Sequence, residues 1–200
     1  MVPIGRWVLH EACRQARAWQ VAGLPPLNIA VNVSSVELRD PGFVAGIRAT
    51  LKETRLEPRY LELEITERAL VEDAHSIVDV LRELRDIGVL LALDNFGTGY
   101  SSLNHLRRFP IDTLKIDQSF VRDLTTDENG TGIVTAMVDI GKRLQVRVVA
   151  EGVETRQQLA ILLQHGCPEG QGYYFGRPVP AETFGQLYEC GAAAAAAAFV

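Results

Sequence analysis

Between Gly88 and Asp117 the sequence sets polar groups directly against apolar runs. Val89 to Leu93 is apolar and is followed at once by Asp94 and Asn95, then by Phe-Gly-Thr-Gly-Tyr-Ser-Ser. An apolar run this short, led in by Gly88, predicts a buried parallel strand rather than a helix. Gly97 and Gly99 permit a sharp turn, Ser101 or Ser102 is placed to cap a short polar helix, and Pro110 stops it. A second strand over Thr113 to Asp117 places Lys115 and Asp117 two apart, on the same face. Acids, an amide and an amine at the carboxyl ends of neighbouring parallel strands stand where α/β proteins put their chemistry. The net charge is −5, which gives no footprint for duplex nucleic acid, so an anionic ligand would have to be held by local cations or metal.

Other strand ends repeat the pattern. Leu27 to Val33 reads as a strand ending in Asn32, Ser34 and Ser35. Tyr60 to Thr66 carries Glu62 and Glu64 on one face and Leu61, Leu63 and Ile65 on the other, with Glu67 just beyond. Val146 to Glu151 runs into Gly-Val-Glu154, and a last strand falls around Gly170 and Gln171. Each has a plainer reading. Asn32 can cap the next helix, Lys115 and Asp117 can form a structural ion pair, and Glu151 and Glu154 can be first-turn acids favoured by a helix dipole. Any tight turn wants glycine, so Gly97-Thr98-Gly99 is a weak signal alone. His10, His75, His105 and His165 are scattered and read as surface or cap residues; Asp123 to Glu128 reads as a solvated loop. Glu64 resists such a reading, because an acid inside an otherwise apolar strand is costly to bury unpaired.

Helices connect these strands. Pro3 to Ala22 has Val8, Ala12, Ala16 and Trp19 at helical spacing; further helices are expected over Pro41 to Glu53, Ala74 to Ile87, Gly132 to Leu144 and Arg156 to His165, with a polar loop over 123–132. Strand then helix recurs six times, with strands ending at Asn32, Glu64, Asp94, Lys115, Glu151 and Gln171. That is the organisation of a TIM-like (β/α) barrel, an α/β fold, incomplete at its N-terminus, since a full barrel has eight strands; an open doubly wound sheet is the alternative. Convergence of six polar strand ends favours the barrel. Two hundred residues, 47% hydrophobic and 22% charged, suit one soluble globular domain, with an Ala-rich tail over 191–200 set apart from residues 1–190. No apolar run is long enough to span a bilayer, and the start lacks the pattern of a signal peptide. Cys13, Cys167 and Cys190 are widely spaced and fit reduced, mostly buried thiols of a cytoplasmic protein.

Six segments occur in an order that resembles the EAL-domain family of cyclic di-GMP phosphodiesterases: Asn32-Val-Ser, Glu62 to Glu67, Asp94 to Ser102, Asp112 to Asp117, Val149 to Glu154 and Gln171 to Pro178. The resemblance covers nearly the whole chain to about Leu187. It implies bacterial second-messenger signalling and hydrolysis of cyclic di-GMP to linear pGpG with two Mg²⁺ or Mn²⁺ ions. By the same resemblance Asn32, Glu64 and Asp94 are metal ligands, with Asp94 bridging and Asn95 standing where the second ion's carboxylate is expected. Lys115 then orients the attacking water or stabilises charge, Asp117 and Glu151 hold further waters and the second ion, Glu154 and Gln171 complete a polar rim, and Glu67 anchors the loop Phe96 to Ser102.

Two departures bear on activity. The family's Glu-Ala-Leu signature, whose glutamate is a metal ligand, is absent from this sequence, and Asn95 replaces the second of two aspartates. A neutral Asn can coordinate a hard cation through oxygen but cannot supply its charge. The expectation is a phosphodiesterase domain weak or inactive as this chain, with a catalytically silent cyclic di-GMP-binding or protein-interaction module as the alternative. A homodimer and an upstream sensory or cyclase domain are the partners implied. A third outcome is an incomplete barrel that folds only as a dimer or not at all, because absent strands leave sheet edges exposed.

Overall fold

The computed structural model describes residues 2–71, 74–99, 106, 108–125 and 128–195. Six parallel strands form one sheet in sequential order: β1 Ile29–Val33, β2 Leu61–Thr66, β3 Leu90–Phe96, β4 Thr113–Ile116, β5 Arg147–Glu151 and β6 Glu169–Gln171. A doubly wound sheet reverses its strand order partway. The unbroken order instead makes this sheet an arc of a TIM-like barrel, with β1 and β6 as its edges.

The helices are α1 Val2–Val21, α2 Ser35–Leu38, α3 Phe43–Thr54, α4 Glu67–Val71, α5 Ala74–Ile87, α6 Gln118–Asp123, α7 Glu128–Leu144, α8 Arg156–Gln164 and α9 Ala181–Ala195. Helices α3, α5 and α7 share a core with one face of the sheet. Leu61, Leu63, Leu91, Leu93, Leu114 and Ile116 on that face are essentially inaccessible and share a core with Ile47 of α3, Ile77, Leu81 and Leu84 of α5 and Val134 and Val138 of α7. Alternation then sends the intervening residues of each strand to the opposite, inner face. Parallel register places Asn32 beside Glu64, Thr66 beside Asp94, Thr113 beside Arg147, Lys115 beside Val149 and Glu151 beside Gln171. The inner face is therefore polar at its carboxyl end.

Several local expectations change. Asn32 caps nothing: α2 is capped by Ser34, whose hydroxyl accepts from the Glu37 N–H while the Glu37 carboxylate accepts from the Ser34 N–H, a reciprocal cap over Ser-Val-Glu-Leu. β4 ends at Ile116. Asp117 has left the strand to cap α6, its carboxylate accepting from the N–H and the hydroxyl of Ser119. The polar stretch over 123–132 is not one loop, because α7 begins at Glu128. The Ser101 or Ser102 cap and most of the polar helix before Pro110 lie outside the described residues.

The first and last helices meet. The Trp19 indole N–H of α1 donates to the Ala181 carbonyl at 3.3 Å, and its ring lies 4.8 Å from that of Phe184 in α9. Cys13 and Cys167 are buried free thiols, each pushed up to about 11, chiefly by burial. Among the described residues no helix is long and apolar enough to cross a membrane.

Candidate functional site

Lys115 is the centre of the inner face. Its ammonium donates to Glu64 Oε1 at 2.5 Å and lies 2.6 Å from Glu151 Oε1, bridging β2 and β5 across β4. The three side chains are 6%, 10% and 19% exposed, so the charges interact with little water between them. Burial alone would lower the lysine's pKa, but its hydrogen bonds to Glu151 and Glu64 and their charges outweigh it and leave it above its ordinary value. For Glu151 the balance tips the other way. Burial pushes its carboxyl up, Lys115 opposes this, and the negative charges of Asp94 and Glu64 add to the rise. Two carboxylates flank the ammonium, and a third, Asp94, is near enough to Glu151 to disfavour its charge. The structural ion pair in this protein is thus Lys115 with two glutamates, not Lys115 with Asp117.

That balance gives a prediction with a definite sign. Glu151→Gln keeps an acceptor for Lys115 and removes a disfavoured charge, so the variant is expected to be more stable than the parent by about 1 kcal/mol at pH 7, or roughly 2–4 °C in Tm. A group whose folded pKa is raised stabilises below its unfolded value, here 4.5, and loses that contribution as pH climbs through the folded value. The advantage of Gln must therefore vanish below pH 4.5 and grow above it; thermal melts across that range check both limits.

Asp94 and Asn95 sit on an irregularity in the sheet. Leu93 pairs with Leu114 and Phe96 with Ile116, so two residues of β3 oppose the single Lys115 of β4. This is the count of a β-bulge, which bends a strand and re-aims its side chains. Asn95 takes the left-handed conformation at φ 56°, which Asn tolerates better than most residues, and its N–H donates to Asp94 Oδ1 at 2.9 Å. Just beyond, Gly97 at φ 98° donates its N–H to Glu67 Oε2 at 3.0 Å; a Cβ on Gly97 would come within 2.9 Å of Phe120. Glu67 is 2% exposed, and this bond ties the start of α4 to the turn after β3.

The remaining expected residues lie around this centre. Asn32 is exposed, level with Glu64 on β1; Gln171 is exposed beside Glu151; Glu154 is exposed in the loop after β5. One layer lower, sequence reasoning missed a second cluster. The Arg147 guanidinium donates to Glu62 at 3.2 and 3.3 Å, to the Thr113 hydroxyl at 2.8 Å and to Glu169 at 3.4 Å. Glu62, Thr113 and Glu169 each stand two residues before a site residue on the same strand, and Arg147 stands four before Glu151. That two-residue spacing was the available signal. The histidines stay apart: His10 approaches Glu53 at 3.6 Å and His165 pairs with the Thr135 hydroxyl, while the side chains of His75 and His105 lie outside the described residues.

Among the described residues no group of three or more His, Cys, Asp or Glu side chains is arranged to hold a metal ion. Glu64 and Glu151 are both paired with Lys115. The donor chemistry nevertheless fits a hard divalent cation. Glu64, Asp94 and Asn32 stand near the carboxyl ends of three adjacent strands with Asn95 next to Asp94, all with oxygen donors, and the negative charge of Glu64, Asp94 and Glu151 exceeds what Lys115 neutralises.

The sequence matches the family model of the EAL domain over residues 1–178. It is 45% identical over 182 residues to the bifunctional diguanylate cyclase/cyclic di-GMP phosphodiesterase MucR of Pseudomonas aeruginosa, a match that takes in 91% of this chain and 27% of that protein. The chain spans about a quarter of the length of the curated relatives it matches. The structure superimposes with a TM-score of 0.88 on the PaMucR phosphodiesterase in complex with c-di-GMP, 45% identical, covering 92% of this chain and 74% of that one. It also matches the manganese and cyclic di-GMP complex of Klebsiella pneumoniae BlrP1, with a TM-score of 0.80 and 31% identity, covering 88% of this chain and 45% of the other.

Proposed function

The chain belongs to the EAL domain family, and from that premise we propose that it is a cyclic di-GMP phosphodiesterase domain whose turnover is weak or absent in this chain as it stands. The observation that carries the reading is Lys115 held between Glu64 and Glu151, with Asp94 beside it on the same inner face. In this reading Asn32, Glu64 and Asp94 hold one Mg²⁺ or Mn²⁺ ion, and Asn95 stands toward a second. Bound ions supply Lewis acidity toward a phosphoryl oxygen and lower the pKa of a coordinated water.

The protein's own residues do the rest. An ammonium has three donors, and Lys115 uses two on Glu64 and Glu151, leaving the third for a water or a phosphoryl oxygen. Glu151, with its carboxyl pushed up, is a stronger base than an ordinary glutamate and is placed to take a proton from a water held by Lys115. Asp117 caps α6 at the end of β4 and contributes from there, through water. Glu154 and Gln171 form the exposed rim. Glu67 fixes the turn at Gly97, next to the metal-facing bulge.

Asn95 supports the second reading, a module that binds cyclic di-GMP or a protein partner without turnover. It supplies an oxygen where a carboxylate would supply a charge, and a charged contact is worth ~1.5–3 kcal/mol. The deciding experiment incubates the purified chain with cyclic di-GMP and Mn²⁺ and follows linear pGpG by chromatography, with ligand binding measured by calorimetry. We expect binding, with turnover at least about tenfold below that of MucR. Turnover equal to MucR would refute the impairment, and failure to bind would refute the function. Sedimentation of the same sample tests the proposed homodimer.

Asn95→Asp separates the two contributions of this residue. The new carboxylate is expected to raise Mn²⁺ affinity about tenfold. In metal-free buffer the same variant should melt lower than the parent, because the 3.4 Å bond from the Asn95 amide to Asp94 is replaced by like-charge repulsion. Calorimetric titration with Mn²⁺ and metal-free melts check the two halves.

A further inference from the structure

The loop from β5 to α8 carries Glu151 and Glu154, and its backbone is held from two sides. Val153, fully buried, donates its N–H to the Gln171 carbonyl at 3.0 Å and accepts from the Tyr174 N–H at 3.0 Å. The next two N–H groups, of Glu154 and Thr155, both donate to one atom, Oε1 of Gln158, at 2.8 and 2.9 Å. The bond to Thr155 is half of an ordinary capping box, completed by the Thr155 hydroxyl accepting from the Gln158 N–H. The bond to Glu154 is additional. So is the third contact, in which Gln158 Nε2 donates to the Val121 carbonyl of α6 at 3.3 Å, 37 residues away in sequence.

Gln158 is 6% exposed, more deeply buried than a helix cap requires. The helix it reaches is the one that follows Lys115, separated from it only by Ile116 and the Asp117 cap. The loop lies directly on that helix: Gly152, at φ 70°, is so close to Gln118 that a Cβ there would fall 2.6 Å from the Gln118 Cβ. Only a carboxamide can satisfy all three partners, since Glu offers Val121 no donor and Leu offers neither donor nor acceptor.

We propose that Gln158 is a positioning residue, whose buried amide locks the β5–α8 loop to α6 and so sets where Glu151 and Glu154 stand relative to Lys115. This rests on the reading of Glu151 and Glu154 as site residues given above. Because Gln158 also caps α8, the test compares Gln158→Leu with Thr155→Ala, which loses the hydroxyl half of the same cap but leaves the Gln158 carboxamide intact.

In the full chain, amide exchange at Glu154 and Thr155 is expected to quicken about tenfold in Gln158→Leu and to stay within about twofold of the parent in Thr155→Ala. With cyclic di-GMP and Mn²⁺, affinity or kcat should fall about tenfold in Gln158→Leu, beyond any loss in Thr155→Ala, even where the two melt at the same temperature. Gln158→Glu should keep the loop amides protected. Equal exchange in Gln158→Leu and Thr155→Ala, or faster exchange with unchanged affinity and turnover, overturns the positioning role. A parent chain that neither binds nor cleaves the dinucleotide overturns the functional reading instead, and the exchange rates alone then decide whether Gln158 holds the loop.

Discussion

Lys115→Met is expected to lower the unfolding free energy by about 3–5 kcal/mol and to abolish any turnover of cyclic di-GMP. Removing one partner of a buried ion pair leaves the others charged and unpaired, and here two carboxylates are left facing each other. In thermal melts the loss amounts to roughly 10 °C. The folded pKa of Lys115 is raised, so its contribution is fully present below the unfolded value of 10.5 and disappears only as pH rises through the folded value. Parent and variant must therefore converge in strongly alkaline buffer and differ at pH 7. Combining Lys115→Met with Glu64→Gln and Glu151→Gln removes the stranded charges, and most of the lost stability should return while activity does not. A triple variant as unstable as Lys115→Met would show that the lysine acts through packing and not through charge.

Asp94→Asn is the second large effect, and it spares the fold. Asn retains an oxygen to accept the Asn95 N–H that now bonds Asp94 at 2.9 Å, so the left-handed turn at Asn95 keeps its tie. Losing the negative charge of Asp94 also relieves Glu151, whose carboxyl Asp94 helps to push up. Melting temperature should therefore stay level or rise slightly. Metal binding should not survive so well. With Asn already at position 95, the bulge would carry two neutral amides, and the loss of one charged contact weakens Mn²⁺ binding by about 10- to 100-fold. Titration calorimetry decides the matter: an Mn²⁺ affinity equal to the parent's places the ion somewhere other than this bulge.

The strands were legible because their outer faces are apolar without interruption and their inner faces break pattern only at chemistry. Glu64, set among leucines, signalled the site; Leu61, Leu63 and Ile65 signalled the face that packs on helices. The end of β4 was read one residue too far because Thr-Leu-Lys-Ile-Asp alternates like a strand to its end, while the local competition between extending the ladder and capping α6 through Ser119 is settled by the next helix. α2 and α6 were missed for a related reason. Four and six residues are too few to show helical periodicity, so only the Ser34–Glu37 reciprocal cap announced α2. The Arg147 cluster left a trace in the two-residue spacing of Glu62, Thr113 and Glu169 before site residues, whereas the reach of Gln158 to Val121 depends on the packing of α8 on α6, which no local pattern in the sequence encodes.

The contact between Trp19 and Phe184 makes one of the two tryptophans an optical reporter. Trp19 senses the seating of the last helix, through a ring neighbour and an indole hydrogen bond, whereas Trp7, 66% exposed, emits from water whether that helix is docked or not. Quenching by iodide can thus distinguish undocking of the last helix from loss of the whole sheet, because the first uncovers a single shielded indole on a molecule whose strands still hold together.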